Sequence, residues 1–270
     1  MLDEITPIII TYNESPNIGR TLERLMWAQD IVVVDSYSND DTLDIVAGFP
    51  QARVFQREFH GFANQLNFAL SETGIVTEWV LRLDADWLVT SEMVEEMEDL
   101  RPTQDITGYS AKFVYCVYGR RLHGCALPDR ILLYRRKSAS YRQDGHHETL
   151  VLDGNVRSLR SAVLHDDRKS LTRWLREQDR YGRLSAQALQ QLASGDLNWP
   201  DRLRKLRFVS PFFVFFYCLF VKGTLLDGPA GLCYAFQRLL AELLLSLYLL
   251  EDDLTRQDQQ LGNGSLDSDK

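Results

Sequence analysis

Along the N-terminal part of the chain, continuous apolar runs alternate with stretches whose apolar positions recur at helical spacing. Residues 5–12 and 31–35 are rich in isoleucine and valine without interruption, the pattern of strands buried on both faces of a parallel sheet. Between them, residues 17–27 carry Ile18, Leu22, Leu25 and Met26 at helical spacing. The short polar side chains of Ser38, Asn39, Asp40 and Asp41 can cap a second helix that continues through Leu43, Ile45 and Val46. A short strand at 53–56 and a helix at 62–70 follow. Then Trp79-Val80-Leu81-Arg82-Leu83 runs as an apolar strand straight into Asp84-Ala85-Asp86. The alternation predicts an α/β fold with a mostly parallel central sheet flanked by helices.

From Ser110 the pattern turns to mixed strands at 111–118, 131–134 and 157–164, and residues 171–192 read as an amphipathic helix. Arg202, Arg204, Lys205 and Arg207 then precede the aromatic-rich run 208–221. That run ends at Lys222, short of the roughly 20 residues that span a bilayer. A second apolar helix, 232–250, is interrupted by Gln237, Arg238 and Glu242. Both segments read as interfacial rather than spanning, with the basic residues facing anionic lipid head groups. The competing readings are a buried helical pair capping the domain and a homodimer contact. The tail from Asp252 is polar and reads as disordered.

At 270 residues with 45% hydrophobic content, the chain can bury a full α/β core. Its net charge of -8 argues against general affinity for nucleic acid, so an anionic ligand would need a metal or local arginines. Cys116, Cys125, Cys218 and Cys233 form no C-x-x-C spacing. They read as reduced packing thiols of a cytosolic protein rather than as disulfides or a zinc site. The N-terminus carries no basic region followed by a long apolar run, so nothing in it directs export.

In open α/β sheets ligands bind beyond the carboxyl ends of the strands. Here three such ends are polar and rich in oxygen ligands: Thr11-Tyr12-Asn13-Glu14, Asp35-Ser36 and Asp84-Ala85-Asp86. Two carboxylates at i and i+2 beyond a buried strand suit a divalent cation. No G-x-G-x-x-G follows the first strand and no G-x-x-x-x-G-K-[ST] occurs, so neither a dinucleotide fold nor a P-loop is supported.

These strand ends, together with Val34-Asp35-Ser36-Tyr37-Ser38-Asn39-Asp40-Asp41-Thr42, resemble the inverting glycosyltransferases of family 2, which have the GT-A fold. Residues 61–69, His147-Glu148 and residues 223–228 resemble the lipopolysaccharide core β-1,4-glucosyltransferase type in particular. The resemblance runs from the N-terminus to about residue 250. It implies a GT-A catalytic domain at 1–168, with a nucleotide-binding half to about 100 and an acceptor half beyond, followed by a membrane-associated helical region at 169–251 and the tail at 252–270.

The resemblance also implies roles. Asp86, with Asp84 acting directly or through water or ribose, would hold Mg²⁺ or Mn²⁺ against the diphosphate of a nucleotide sugar, neutralising charge on the leaving group. Asp35 would bind uracil or ribose, with Thr11, Tyr12 and Glu14 lining the nucleotide pocket. Asn64 and Asn67, one helical turn apart, would contact the nucleotide or face solvent. A base must deprotonate the acceptor hydroxyl. The candidates are Glu148, favoured by its place in the His-Glu pair, Asp129 as the alternative, and Asp144. Arg130, His147 and His165 are further candidates for diphosphate or acceptor contacts, and Arg135 and Arg136 offer additional cations. One departure is Trp87, where the subgroup commonly has another acid after its aspartates.

The implied activity is transfer of a hexose, glucose from UDP-glucose, onto a lipopolysaccharide-core or other membrane-linked envelope glycan at the inner face of the cytoplasmic membrane. One alternative is a catalytically silent, membrane-associated nucleotide-sugar or glycan-binding module of the same fold. A sugar nucleotidyltransferase would also use paired acids, but it is disfavoured by the lack of a Gly-rich basic phosphate loop.

Overall fold

The computed structural model describes residues 1–144, 147–193, 195 and 197–266, the side chains of 144, 147 and 260–266 excepted. The chain divides into two compact units, the first Met1–Lys169 and the second beginning at Ser170.

The first unit runs β1 (Ile5–Thr11), α1 (Ile18–Glu23), β2 (Ile31–Asp35), α2 (Thr42–Val46), β3 (Ala52–Gln56), α3 (Phe62–Glu72), β4 (Trp79–Asp84) and β5 (Trp87–Leu88). It continues with α4 (Ser91–Asp99), β6 (Ile106–Val117), β7 (Arg120–Arg121), β8 (Arg130–Arg135), β9 (Ala139–Asp144), β10 (His147–Leu152) and β11 (Asn155–His165). Its main sheet has the order β3-β2-β1-β4-β8-β6-β11-β5, with β7 beside β6. Strands β1 to β4 pair in parallel. β8 is antiparallel to both β4 and β6, β6 and β11 are parallel, and β5 is antiparallel to β11. The registers Thr11↔Asp35 and Ile10↔Asp84 bring three polar strand ends to one edge.

The alternating side chains of β1 divide the core in two. Ile5 and Ile9 pack with Leu22, Leu81 and Met93, whereas Ile8 and Ile10 pack with Leu66, Val80 and Tyr134. This two-faced burial is why β1, β2 and β4 read as nearly unbroken apolar runs.

Three elements differ from the sequence reading. The helix expected at 17–27 is regular only over Ile18–Glu23 and then tightens, with Leu25 N donating to Leu22 O and Ala28 N to Leu25 O. The strand read as apolar through Leu83 takes in Asp84 as its last residue, and Ala85-Asp86 form a turn into β5. The hairpin β9–β10 has no counterpart in the sequence reading: Ala139, Tyr141, Leu150 and Leu152 reach the core, but polar and charged residues separate the two pairs.

The second unit contains α5 (Leu171–Gln191), α6 (Trp199–Lys205), α7 (Ser210–Phe216) and α8 (Gly228–Leu266). Between α7 and α8, Tyr217–Val221 form a wider turn and Thr224–Asp227 a tighter one. The disorder expected from Asp252 is corrected as far as Leu266, where α8 ends; the last four positions of the expected tail lie outside the described residues. Its polar end is held by Gln190 Nε2 donating to Asp252 Oδ2 at 2.6 Å, by Arg256 donating to Gln190 Oε1 at 2.6 Å, and by the Arg207–Asp253 ion pair. By length and composition alone, Thr224–Gln259 could cross a membrane. Glu242 within it is buried, accepting from Ser210 Oγ at 2.9 Å and from Arg204 at 3.1 Å. All four cysteines are free thiols.

Candidate active site

The ends of β1 and β2 are tied into one polar framework. Asp35 is fully buried and accepts from the Ser38 backbone N at 2.9 Å, from Ser38 Oγ at 2.5 Å and from Gln56 Nε2 at 3.1 Å. Ser38 Oγ also accepts from the Asn13 backbone at 2.7 Å, and Asn13 Oδ1 accepts from the Asn39 backbone at 2.8 Å. Thr42 Oγ1 accepts from the Glu14 backbone at 2.7 Å, and Asp40 Oδ2 from the Ser15 backbone at 3.2 Å. Asn13 and Tyr37 sit in the left-handed region, at φ 54° and 60°. Asparagine tolerates that region, but tyrosine there is uncommon. The framework leaves Tyr12 and Tyr37 more than half exposed, while the buried Thr11 Oγ1 has no hydrogen-bond partner.

The aspartate pair lies on the turn after β4. Thr21 Oγ1, from α1, donates to Ala85 O at 2.6 Å and pins the turn from below. Antiparallel pairing of Trp87 with His165 sets His165 Nε2 at 3.2 Å from Asp86 Oδ2, and the Asp166 backbone donates to Asp86 O at 3.1 Å. Beyond β11, Lys169 Nζ lies 2.8 Å from Glu14 Oε1 and 4.0 Å from Asp86 Oδ2. Asn17 Nδ2 bridges Glu14 Oε2 and Asp167 Oδ1 at 2.8 and 2.9 Å. Asp166 pairs with Arg20 and Arg168.

This crowding shifts the titrating groups. Burial opposes ionisation of Asp86, but His165 and Lys169 outweigh it and hold the carboxyl well below the usual carboxylate range. Burial alone would lower His165; Asp86, Asp84 and Asp167 outweigh it and raise the imidazole. Asp84 is raised by burial against the pull of Arg82, with Asp86 and Glu148 adding to the rise. Glu14 is pushed up to about 7 by burial, despite Lys169.

Among the described residues no three metal-ligating side chains converge. With the imidazole of His165 against Asp86, its buried Nδ1 without a partner, Asp86 and Asp84 still fit a divalent ion that takes its remaining ligands from phosphate oxygens and water. Mg²⁺ is characteristically bound through one or two carboxylates in this way.

A second cluster lies beside the pair. Arg82 is buried on β4 and reaches Asp84 Oδ1 at 3.0 Å and Glu148 Oε1 at 2.9 Å. Arg130 Nη1 lies 3.5 Å from the same Glu148 oxygen. Trp87, buried against Phe113 at 4.7 Å between ring centres, lies under the Arg82 guanidinium.

Residues 6–138, a range that includes all three polar strand ends, match the model of glycosyl transferase family 2. The chain carries a family 2 glycosyltransferase domain. The transferase is similar to the lipopolysaccharide core biosynthesis glycosyltransferase LpsC of Rhizobium meliloti (strain 1021), with 28% identity covering 86% of this chain and 89% of that protein. An uncharacterized glycosyltransferase of Rickettsia typhi (strain ATCC VR-144 / Wilmington) is 29% identical over 57% of this chain and 55% of its own length. Among solved structures, S. aureus TarS 1-349 in complex with UDP-GlcNAc aligns with a TM-score of 0.47 and 15% identity, covering 94% of this chain and 92% of that one.

The transferase brings Glu14, Asp84, Asp86 and His165 together, and it sets Glu148 and Arg130 beside Asp84 through Arg82. Asn67 is a correction. Its side-chain amide donates to Tyr141 O and accepts from Tyr141 N, both at 2.8 Å, so both its groups are taken up in holding the β9 backbone. Asn64 accepts from Arg57 at 2.6 Å. Asp35 is enclosed by its three donors, so its polar atoms serve the loop framework. Asp129 is exposed in the loop before β8. The side chains of Asp144 and His147 lie outside the described residues. Arg135 and Arg136 are tied elsewhere, to Glu78 and to Leu70 O. Sequence reasoning missed Asn17, Thr21, Arg82 and Lys169. Of these only Arg82, a lone cation between Leu81 and Leu83, carries a sequence signal, since a buried charge requires partners.

Proposed function

We propose that the protein is a metal-dependent inverting hexosyltransferase that moves glucose from UDP-glucose onto a lipopolysaccharide-core or other membrane-linked envelope glycan. The observation that carries this reading is the approach of Asp86 and His165 to 3.2 Å, beside Asp84, at the end of the parallel sheet. The two carboxylates would hold Mg²⁺ or Mn²⁺, with His165 against Asp86. The ion would neutralise charge accumulating on the departing diphosphate. Lys169, buried between Glu14 and Asp86, adds a fixed positive charge to the same corner. Tyr12 and Tyr37 flank the donor end as exposed aromatic faces. Glu148 would accept the proton of the acceptor hydroxyl.

The similarity to LpsC supports an envelope glycan as acceptor. A lipid-linked acceptor calls for a surface that meets the bilayer. In α7 and the turn after it, Phe212, Phe216 and Phe220 recur every four residues, each more than half exposed. The described segment Ser210–Val221 is too short to cross a bilayer, which suits an orientation in the membrane plane at the cytoplasmic face.

The test is a panel of UDP-, GDP-, ADP- and TDP-sugars with Mg²⁺ or Mn²⁺ and envelope acceptors, scored by release of nucleoside diphosphate. UDP release from UDP-glucose that depends on the ion, and that is lost in Asp86→Ala and Glu148→Gln, is the expected result. Binding of a nucleotide sugar without turnover on any acceptor supports the silent module instead. Flotation with anionic liposomes tests the membrane contact, and no binding at low salt refutes it.

A further inference from the structure

Trp87 supports two arginines at once. The Arg82 guanidinium carbon lies 4.5 Å from the indole ring centre and that of Arg130 lies 6.0 Å away. Both guanidinium groups approach the same acceptor, Glu148 Oε1, at 2.9 and 3.5 Å, leaving Oε2 outside both pairs. Trp87 and the Arg82 side chain are about 5% exposed, and Phe113 closes the indole from the side. The three residues come from different strands: Arg82 from β4, Trp87 from β5 and Arg130 from the start of β8.

An aromatic face attracts a guanidinium without occupying its N–H donors. A carboxylate at position 87 would instead compete with Glu148 for those donors. The indole thus directs the hydrogen-bonding edges of both arginines outward to carboxylates, and in Arg82 it shares them between Asp84 at the donor end and Glu148 at the acceptor end.

We propose that Trp87 is a positioning residue which, through Arg82 and Arg130, fixes the orientation of Glu148 for proton removal from the acceptor. The proposal deepens the reading of Glu148 as the base and rests on it. Trp87 touches neither substrate nor ion in this account, so its removal acts on turnover and not on nucleotide binding.

The experiment measures kcat and KM for Trp87→Leu, Trp87→Phe, Arg130→Gln, Glu148→Gln and the double variant Trp87→Leu/Glu148→Gln, using the nucleotide sugar that gives turnover. Calorimetry with UDP and Mn²⁺ runs in parallel. Trp87→Leu is expected to lower kcat about tenfold or more, a fraction of what a general base contributes, with UDP affinity changed by less than about twofold. Trp87→Phe, which keeps an aromatic face, is expected to recover part of the loss. In the Glu148→Gln background Trp87→Leu should add almost nothing, because residues acting as a unit are non-additive. An equal loss in both backgrounds overturns the proposal, as does an unchanged kcat in Trp87→Leu when Glu148→Gln is inactive. Full activity in Glu148→Gln removes the base reading itself, and the role of Trp87 with it. If Trp87→Leu fails to fold, Trp87→Phe and the partly exposed Arg130→Gln carry the same comparison.

Discussion

Replacing Glu14 by glutamine should make the protein less sensitive to rising pH. Glu14 is buried between Lys169 and Asn17, each 2.8 Å from one of its oxygens. Burial raises its carboxyl from the ordinary 4.5 to about 7 in the folded chain, with Lys169 opposing and Asp86 adding to the rise. Between those two values the folded state holds a proton that the unfolded state has released. The stabilisation is therefore complete below about pH 4.5 and is lost as pH rises through 7. At 1.36 kcal/mol for each pH unit, the interval corresponds to about 3 kcal/mol. The glutamine side chain keeps one of the two acceptor sites and has no proton to lose, so its cost from the lost acceptor is the same at both pH values. Unfolding midpoints of wild type and Glu14→Gln, measured at pH 5 and pH 8, should converge or cross. The variant gains about 3 kcal/mol relative to wild type at the higher pH, roughly 6–12 °C for a domain of this size. Other titrating groups are common to both proteins and cancel. A constant difference between the two pH values refutes the reasoning. So does a larger loss in the variant at pH 8, since that would mean Glu14 is ionised and stabilised by Lys169.

Other substitutions separate framework from chemistry. Asn67→Ala removes both bonds to the Tyr141 backbone and should cost about 2 kcal/mol in urea unfolding, while UDP affinity by calorimetry stays within about twofold of wild type. Thr21→Val leaves the Ala85 carbonyl without its buried donor. It should cost about 1–3 kcal/mol and weaken Mn²⁺-dependent UDP binding, because the turn carrying Asp86 loses its support. Glu242→Gln removes the carboxylate shared by Arg204 and Arg238, leaving Arg204 with Asp201 alone. Both arginines are about one-third exposed, so solvent recovers part of the loss and the expected destabilisation is about 1–2 kcal/mol, read as a lower thermal midpoint with donor hydrolysis unchanged.

What was legible in the sequence follows from how each element is buried. β1, β2 and β4 lie between two core layers, so their continuous apolar runs announce both the strands and the polar ends that face the ligand edge. The hairpin β9–β10 places Ala139, Tyr141, Leu150 and Leu152 in the core and is also tied by Asn67, a contact made across 74 residues of sequence that local pattern cannot reveal. His165 was identifiable as a histidine ending a strand, but its meeting with Asp86, 79 residues away, depends on the antiparallel pairing of β5 with β11. The motif from Asp35 to Thr42 shows a different limit. Its oxygens are the right type for nucleotide recognition, yet Asp35, Ser38, Asp40 and Thr42 all bond to backbone or side chains of the strand-end loops. Residue type announces polarity at a strand end; only the fold decides which partners each polar group meets, as Asp84 meets Arg82 and Asp86 meets His165.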